Sequence, residues 1–126
     1  MTTENGNPYE ALERIFHEPN RLAIMSALCA APGRAGLTFN ELKAACALTD
    51  GNLNRHLKAL EDAGAVRIEK AFVRAKPRTT IRLSARGLDR FSEYLAALDE
   101  VLVKARQALP HENRRCAPTL SRVVRV

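Results

Sequence analysis

The sequence predicts a mainly α chain with one small β-hairpin, an α+β fold closed by a long C-terminal helix. Three observations predict it. Apolar residues recur at helical spacing through most of residues 8–109. The period changes to strict alternation only at Val66 and Ile68 and again at Ile81 and Leu83. Finally, Leu88, Phe91, Leu95, Leu98, Leu102, Ala105 and Leu109 alternate spacings of three and four over three heptads. With 126 residues, 46% of them hydrophobic, the chain is long enough to bury a core without metal or disulfide staples. Residues 8–109 are expected to form one domain, with residues 1–7 and 110–126 as flexible tails.

Pro8 suits the first turn of a helix that carries Tyr9, Leu12, Ile15 and Phe16 on one face. Pro19 opens a second helix, whose Leu22, Ile24, Met25, Leu28 and Cys29 are dense enough to run through the core. Pro32-Gly33-Arg34-Ala35-Gly36 breaks it. Leu37 to Phe39 allows a very short strand. Thr38-Phe39-Asn40-Glu41 then has the spacing of a capping box, so a third helix begins there and buries Phe39, Leu42 and Cys46.

A few residues later a fourth helix begins, spanning about 49–63, with Thr49 as N-cap, Leu48 and Leu53 as a hydrophobic staple, and Gly64 as its left-handed stop. Leu53, Leu57 and Leu60 make its apolar stripe. At about 100° per residue, Gly51, Arg55 and Lys58 fall opposite that stripe, Asn52, Asn54 and Ala59 flank them, and His56 lies nearer the buried edge. Two short helices joined by a tight turn, the second with a polar outer face, form a helix-turn-helix. Arg and Asn are the residue types that pair bidentately with guanine and adenine edges, and an early Gly lets backbone approach a phosphate at a helix N-terminus. Lys58 alone has acids within helical reach, Glu61 and Asp62.

Beyond Gly64, Val66, Ile68, Ile81 and Leu83 point one way while Arg67, Glu69, Arg82 and Ser84 point the other, which is the pattern of a two-stranded hairpin. Its tip, within about 72–79, reads Phe72-Val73-Arg74-Ala75-Lys76-Pro77-Arg78, longer than a two-residue turn. From Arg67 to Arg86 seven basic residues stand against the single acid Glu69, an excess equal to the net charge of the whole chain, +6. The basicity is therefore local, as a phosphate-gripping loop requires.

Ser84 caps the last helix. At some 25 residues it would be ~37 Å long, more than the body it could cover. Its seam, Leu88, Phe91, Leu95, Leu98 and Leu102, is therefore expected to pair two chains as a homodimer. Pro110 ends it.

Several functions are disfavoured. No apolar stretch approaches the ~20 residues that span a bilayer and no secretory leader opens the chain, so a cytoplasmic protein without membrane contact is expected. Cys29, Cys46 and Cys116 have no Cys-x-x-Cys spacing, and His17, His56 and His111 form no ligand pattern, so neither metal nor cofactor is expected. Cys29 and Cys46 read as small core residues, and His56 as packing at its helix edge or meeting a phosphate. There is no Gly-rich phosphate loop, no His-Glu-x-x-His and no nucleophile with a credible base, so the chain is not expected to be an enzyme.

The order of elements resembles the winged helix-turn-helix transcriptional regulators of the MarR and ArsR kind, especially their small single-domain relatives. The likeness runs from about Pro8 to Leu109. It is carried by Leu48-Thr49-Asp50-Gly51-Asn52-Leu53-Asn54-Arg55-His56-Leu57, by Leu60-Glu61-Asp62-Ala63-Gly64-Ala65-Val66, and by Arg78-Thr79-Thr80-Ile81-Arg82-Leu83-Ser84-Ala85-Arg86-Gly87. The resemblance implies that Asn52, Asn54, Arg55 and Lys58 read bases, beside Thr49 and Gly51 at the helix start, and that Arg74, Lys76 and Arg78 on the wing hold the flanking backbone. It implies a dimeric, sequence-specific regulator of double-stranded DNA, expected as a repressor. Metal-sensing ArsR-type proteins carry paired thiolates where Ala45-Cys46-Ala47 offers one thiol, and no residue supports a small-molecule effector. The alternative is a winged helix used as a protein–protein assembly module without DNA specificity.

Overall fold

The computed structural model of the chain describes residues 12–33 and 35–110. In chain order these form α1 (Pro19–Ala30), β1 (Leu37–Thr38), α2 (Phe39–Cys46), α3 (Asp50–Asp62), β2 (Val66–Val73), β3 (Lys76–Leu83) and α4 (Ala85–Ala108). The α+β class is as the sequence predicts. The hairpin is joined by β1, so the sheet is three-stranded and antiparallel in the order β1-β3-β2. Leu37 pairs with Ile81 and Thr38 with Thr80, which ties the start of the helix-turn-helix to the base of the hairpin.

The helix expected from Pro8 differs. Its residues before Leu12 lie outside the described residues, and Glu13–His17 makes a single turn, with the Phe16 and His17 amides donating to the Glu13 carbonyl at 3.1 and 3.0 Å. The next residue explains the stop. Glu18 precedes a proline, a position biased away from helical backbone. It is extended, and its carboxylate accepts from the Arg21 amide at 2.7 Å as the N-cap of α1. The tails expected at 1–7 and 110–126 also lie outside the described residues, apart from Pro110.

Local chemistry sets the other helix ends. The capping box at α2 is complete, the Thr38 hydroxyl accepting from the Glu41 amide at 3.1 Å and the Glu41 carboxylate from the Thr38 amide at 2.9 Å. After α3, Gly64 has φ +78, the left-handed region that favours glycine. This lets the Gly64 amide donate to Glu61 O and the Ala65 amide to Leu60 O, both at 2.9 Å, a Schellman closure.

The core joins Phe16, Ile24, Met25, Leu28, Leu42, Leu53, Leu57, Leu60, Val66, Ile81, Phe91 and Tyr94. Phe16 meets Phe91 edge-on at 5.3 Å between ring centroids, and Phe91 stacks on Tyr94 at 5.8 Å. Arg90 fastens three segments: it donates to Glu13 at 2.7 Å and to the Ala63 carbonyl at 2.6 Å, placing a cation at the C-terminal end of α3.

Two core expectations are corrected. Cys29, read as a core residue, is exposed: it follows Leu28 near the end of α1, where the helix turns its flank outward. Phe91, read as part of an intermolecular seam, is 1% exposed and belongs to its own chain's core. The turn at Glu13–His17 supplies the Phe16 ring that covers it, which heptad spacing alone does not reveal.

Candidate nucleic-acid interface

Helix α3 divides sharply between its two faces. Leu53, His56, Leu57 and Leu60 are buried, while Gly51, Asn52, Asn54, Arg55 and Lys58 are exposed. Thr49 starts the helix, its hydroxyl accepting from the Asn52 amide at 3.2 Å. Asn52 is further held by its side-chain carbonyl, which accepts from Arg55 at 3.0 Å. The two base-reading candidates one turn apart are thus already aligned, each with donors still free to point outward.

Three acids near this face are engaged, while Glu61, exposed on the same helix, makes no ion pair among the described residues. Lys43 of α2 pairs with Asp50 at 2.7 Å, so the carboxylate at the first turn of α3 is partly neutralised by the preceding helix. Lys58 meets Asp62 at 3.4 Å, but both side chains are more than 60% exposed, and such a pair is weak and easily exchanged. Glu69 on β2 is held by Arg82 at 3.0 Å.

An open cleft of about 510 Å³ separates α3 from the hairpin. Asn54, Leu57, Lys58 and Glu61 line one wall, Ile68, Lys70 and Thr79 the other, with Phe39 of α2 between. Lys70 faces Lys58 across this cleft, a position that the sequence reading does not single out. A signal for it exists, because Lys70 continues the alternation of Val66 and Ile68.

The wing extends past the cleft. Strands β2 and β3 pair without interruption from Val66–Leu83 to Val73–Lys76. The turn is therefore only Arg74-Ala75, which corrects the longer loop expected. Both turn residues have positive φ, 54° and 65°, the geometry of a type I′ hairpin, whose twist matches the strands. Sequence gives no warning, since neither residue is Gly or Asn; the uninterrupted pairing imposes the turn. Arg74, Lys76 and Arg78 are all exposed around it. The nine candidates therefore group into an α3 set (Thr49, Gly51, Asn52, Asn54, Arg55, Lys58) and a tip set (Arg74, Lys76, Arg78).

His56 does not reach this surface. It is 3% exposed, with Nδ1 3.3 Å from a terminal nitrogen of Arg21 and 3.9 Å from the Glu18 carboxylate. A guanidinium only donates, so Nδ1 accepts and the neutral ring carries its proton on Nε2. Burial chiefly lowers its pKa, opposed by Glu18 and aided by Arg55 and Arg21. Of the two readings the sequence allowed, His56 takes packing at the buried edge of its helix and not a phosphate, because Glu18 and Arg21 at the start of α1 cover that flank of α3.

Of the seam residues, Leu88 and Leu98 are half-buried against their own chain, while Leu95 and Leu102 are 42% and 45% exposed. Val103 and Leu109 are exposed as well. The last buried position of α4 is Ala97; Leu98 and Val101 are half-buried, and from Leu102 on the helix is exposed.

Among the described residues no group of three His, Cys, Asp or Glu side chains could hold a metal ion. The partial burial of the Cys29 and Cys46 thiols raises the pKa of each, which leaves little reactive thiolate. No helix among the described residues is long and apolar enough to cross a membrane.

Comparison with known proteins places this geometry. Residues 20–102 match the family model of a winged helix DNA-binding domain. An uncharacterized protein of Methanocaldococcus jannaschii is 35% identical over 82 residues, 65% of this chain and 86% of that protein. A transcriptional regulator homologue from Pyrococcus horikoshii superposes with a TM-score of 0.68 at 28% identity, covering 77% of this chain and 94% of the other. The PcaV transcriptional regulator of Streptomyces coelicolor, solved with its natural ligand, superposes with a TM-score of 0.64 at 18% identity, covering 92% of this chain and 79% of its own. The M. tuberculosis regulator MOSR, solved with DNA, gives 0.60 at 18%, covering 94% and 84%. At 18% identity these last two share the fold. The chain itself belongs to the winged helix DNA-binding domain family.

Proposed function

We propose that the chain is a sequence-specific regulator of transcription that binds double-stranded DNA as a homodimer and acts as a repressor. Helix α3 enters the major groove and the wing grips the flanking backbone. The observation that carries this reading is the juxtaposition of Arg55 and Lys58, exposed on α3, with the exposed and acid-free tip that bears Arg74, Lys76 and Arg78, across a cleft to which Lys70 adds a further cation. Asn52, Asn54, Arg55 and Lys58 read base edges; Thr49 and Gly51 bring the helix start to a phosphate; Arg74, Lys76 and Arg78 supply positional, sequence-independent contacts.

The exposed apolar side chains of α4 support self-association. From Leu95 to Leu109 they extend over ~21 Å of helix at 1.5 Å per residue. A second copy, presenting the same row about a two-fold axis, would cover them.

The test is selection of bound sequences from a random duplex pool, followed by titration of the winners with variants. Arg55→Ala is expected to relax base preference within each half-site, at ~1–3 kcal/mol. Replacing Arg74, Lys76 and Arg78 with Ala should weaken binding to all sequences and flatten log K against log salt by about 0.9 for each phosphate left unneutralised. Failure to select any sequence, or an affinity indifferent to salt, would overturn this reading in favour of a protein-assembly module.

A further inference from the structure

The face of β2 that packs on the core continues two steps beyond it. Val66 is buried, Ile68 half-buried and Lys70 exposed, and the next residue in that alternation is Phe72, 76% exposed. Across the hairpin the matching residues are Leu83, Ile81, Thr79 and Pro77, with Phe72 directly opposite Pro77. The tip therefore carries an aromatic ring and a pyrrolidine ring as a pair, just before the tight Arg74-Ala75 turn.

This apolar pair stands in a purely cationic setting. Between Lys70 and Arg82 the sequence holds Arg74, Lys76 and Arg78 and no acid. Residues Val73, Arg74, Lys76, Pro77 and Arg78 also frame a shallow hollow at the tip. A partner for such a surface must offer negative charge on its rim and apolar atoms within reach of the ring. The DNA minor groove does both: phosphates line its edges, and its sugars and base steps admit apolar side chains. The tip is also continuous, through Lys70 and Thr79, with the cleft beside α3.

We propose that Phe72 is an apolar wedge that enters the minor groove flanking the segment read by α3 and presses into a base step. Resting on the DNA-binding reading above, this assigns the wing a part in sequence choice as well as in grip. Opening a step costs least at flexible pyrimidine–purine steps, so the wedge favours duplexes carrying TA or CA/TG where the wing lands. Arg74, Lys76 and Arg78 hold the ring in place through the phosphates on either side.

The experiment compares the parent, Phe72→Ala and Arg74→Ala on a duplex chosen by selection, with 2-aminopurine placed in turn at each flanking step. For the parent, fluorescence should rise at one flanking step on binding, as a base there unstacks. Phe72→Ala should abolish that rise, lower affinity by roughly 5- to 100-fold, lose the preference for TA or CA/TG, and keep the parent's salt slope. Arg74→Ala should flatten the slope. Because Phe72 lies outside the core, the thermal midpoint of Phe72→Ala should match the parent. Unchanged affinity, fluorescence and flanking preference in Phe72→Ala overturn the wedge while leaving the DNA-binding reading intact. Loss of binding to anionic vesicles, with duplex binding untouched, overturns it in favour of a membrane contact. A parent that binds no duplex overturns both.

Discussion

The backbone of Ala65 stands where a side chain at position 87 would have to go. A Cβ on Gly87 would overlap the Ala65 carbonyl oxygen and lie only 2.7 and 2.8 Å from its carbonyl carbon and Cα. In the same place the Ser84 hydroxyl donates to the Gly64 carbonyl at 2.6 Å, and the Ser84 amide to Ala65 O at 3.1 Å. The start of α4 is thus seated directly on the turn that ends α3, coupling the two helices without an intervening side chain.

Two effects oppose each other in Gly87→Ala. Alanine in a helix is favoured over glycine by ~1 kcal/mol. Overpacking against backbone, which cannot swing away, costs typically ~1–3 kcal/mol and more where the overlap is direct. The overlap should win, and a lower urea midpoint for the variant would establish it. A midpoint at or above the parent's would show that α4 can shift off Ala65.

At the wing tip the sign reverses. Ala75 adopts φ +65 with a Cβ present, a conformation costing roughly 1–2 kcal/mol, of which glycine's greater unfolded-state freedom returns part. Ala75→Gly is expected to stabilise the protein by about 0.5–1 kcal/mol, read as a raised denaturant midpoint. No gain would mean that the turn is not of the I′ type.

The outward part of α4 carries the dimer proposal. Leu95 and Leu102 are 42% and 45% exposed in a single chain, so glutamate at both positions leaves that chain's own core intact. At a dimer seam the same charges would be buried unpaired, at several kcal/mol. Light scattering should find Leu95→Glu, Leu102→Glu to be a folded monomer, with loss of cooperative binding to an inverted repeat whose half-sites lie ~34 Å apart. A variant that stays dimeric and binds normally removes α4 from the interface.

Acid should weaken the fold through His56. Its pKa is lowered in the folded state, chiefly by burial, so the unfolded chain binds the proton more tightly. The stability tied to the neutral ring is fully present above the ordinary histidine pKa, about 6.5. It is lost as pH falls below that value toward the lowered folded one. Protonation would also set an N–H donor on Nδ1 against the Arg21 guanidinium. Unfolding free energy followed from pH 7.5 to 5 should decline less steeply in His56→Leu than in the parent, and equal slopes would remove His56 as the cause.

What the sequence determined by itself is short-range. Thr38, Thr49 and Ser84 accept from amides three residues on, Gly64 closes the Schellman turn, and the alternation of Val66, Ile68, Ile81 and Leu83 sets which face of the hairpin is buried. Each depends on neighbours within a turn or a strand step, so residue type and spacing suffice. The outer face of α3 was legible for the same reason, because three leucines at helical spacing orient every other residue of that helix. The tertiary structure alone decided how the single apolar stripe of α4 is divided. By phase it is continuous; Phe91 and Tyr94 meet Phe16 and the core, whereas Leu102 and Leu109 stay exposed. The same holds for His56 beneath α1 and for the two-residue turn at Arg74-Ala75, where uninterrupted strand pairing overrode what the turn residues prefer. Those outcomes depend on segments far apart in the chain, and no local pattern encodes the distance between them.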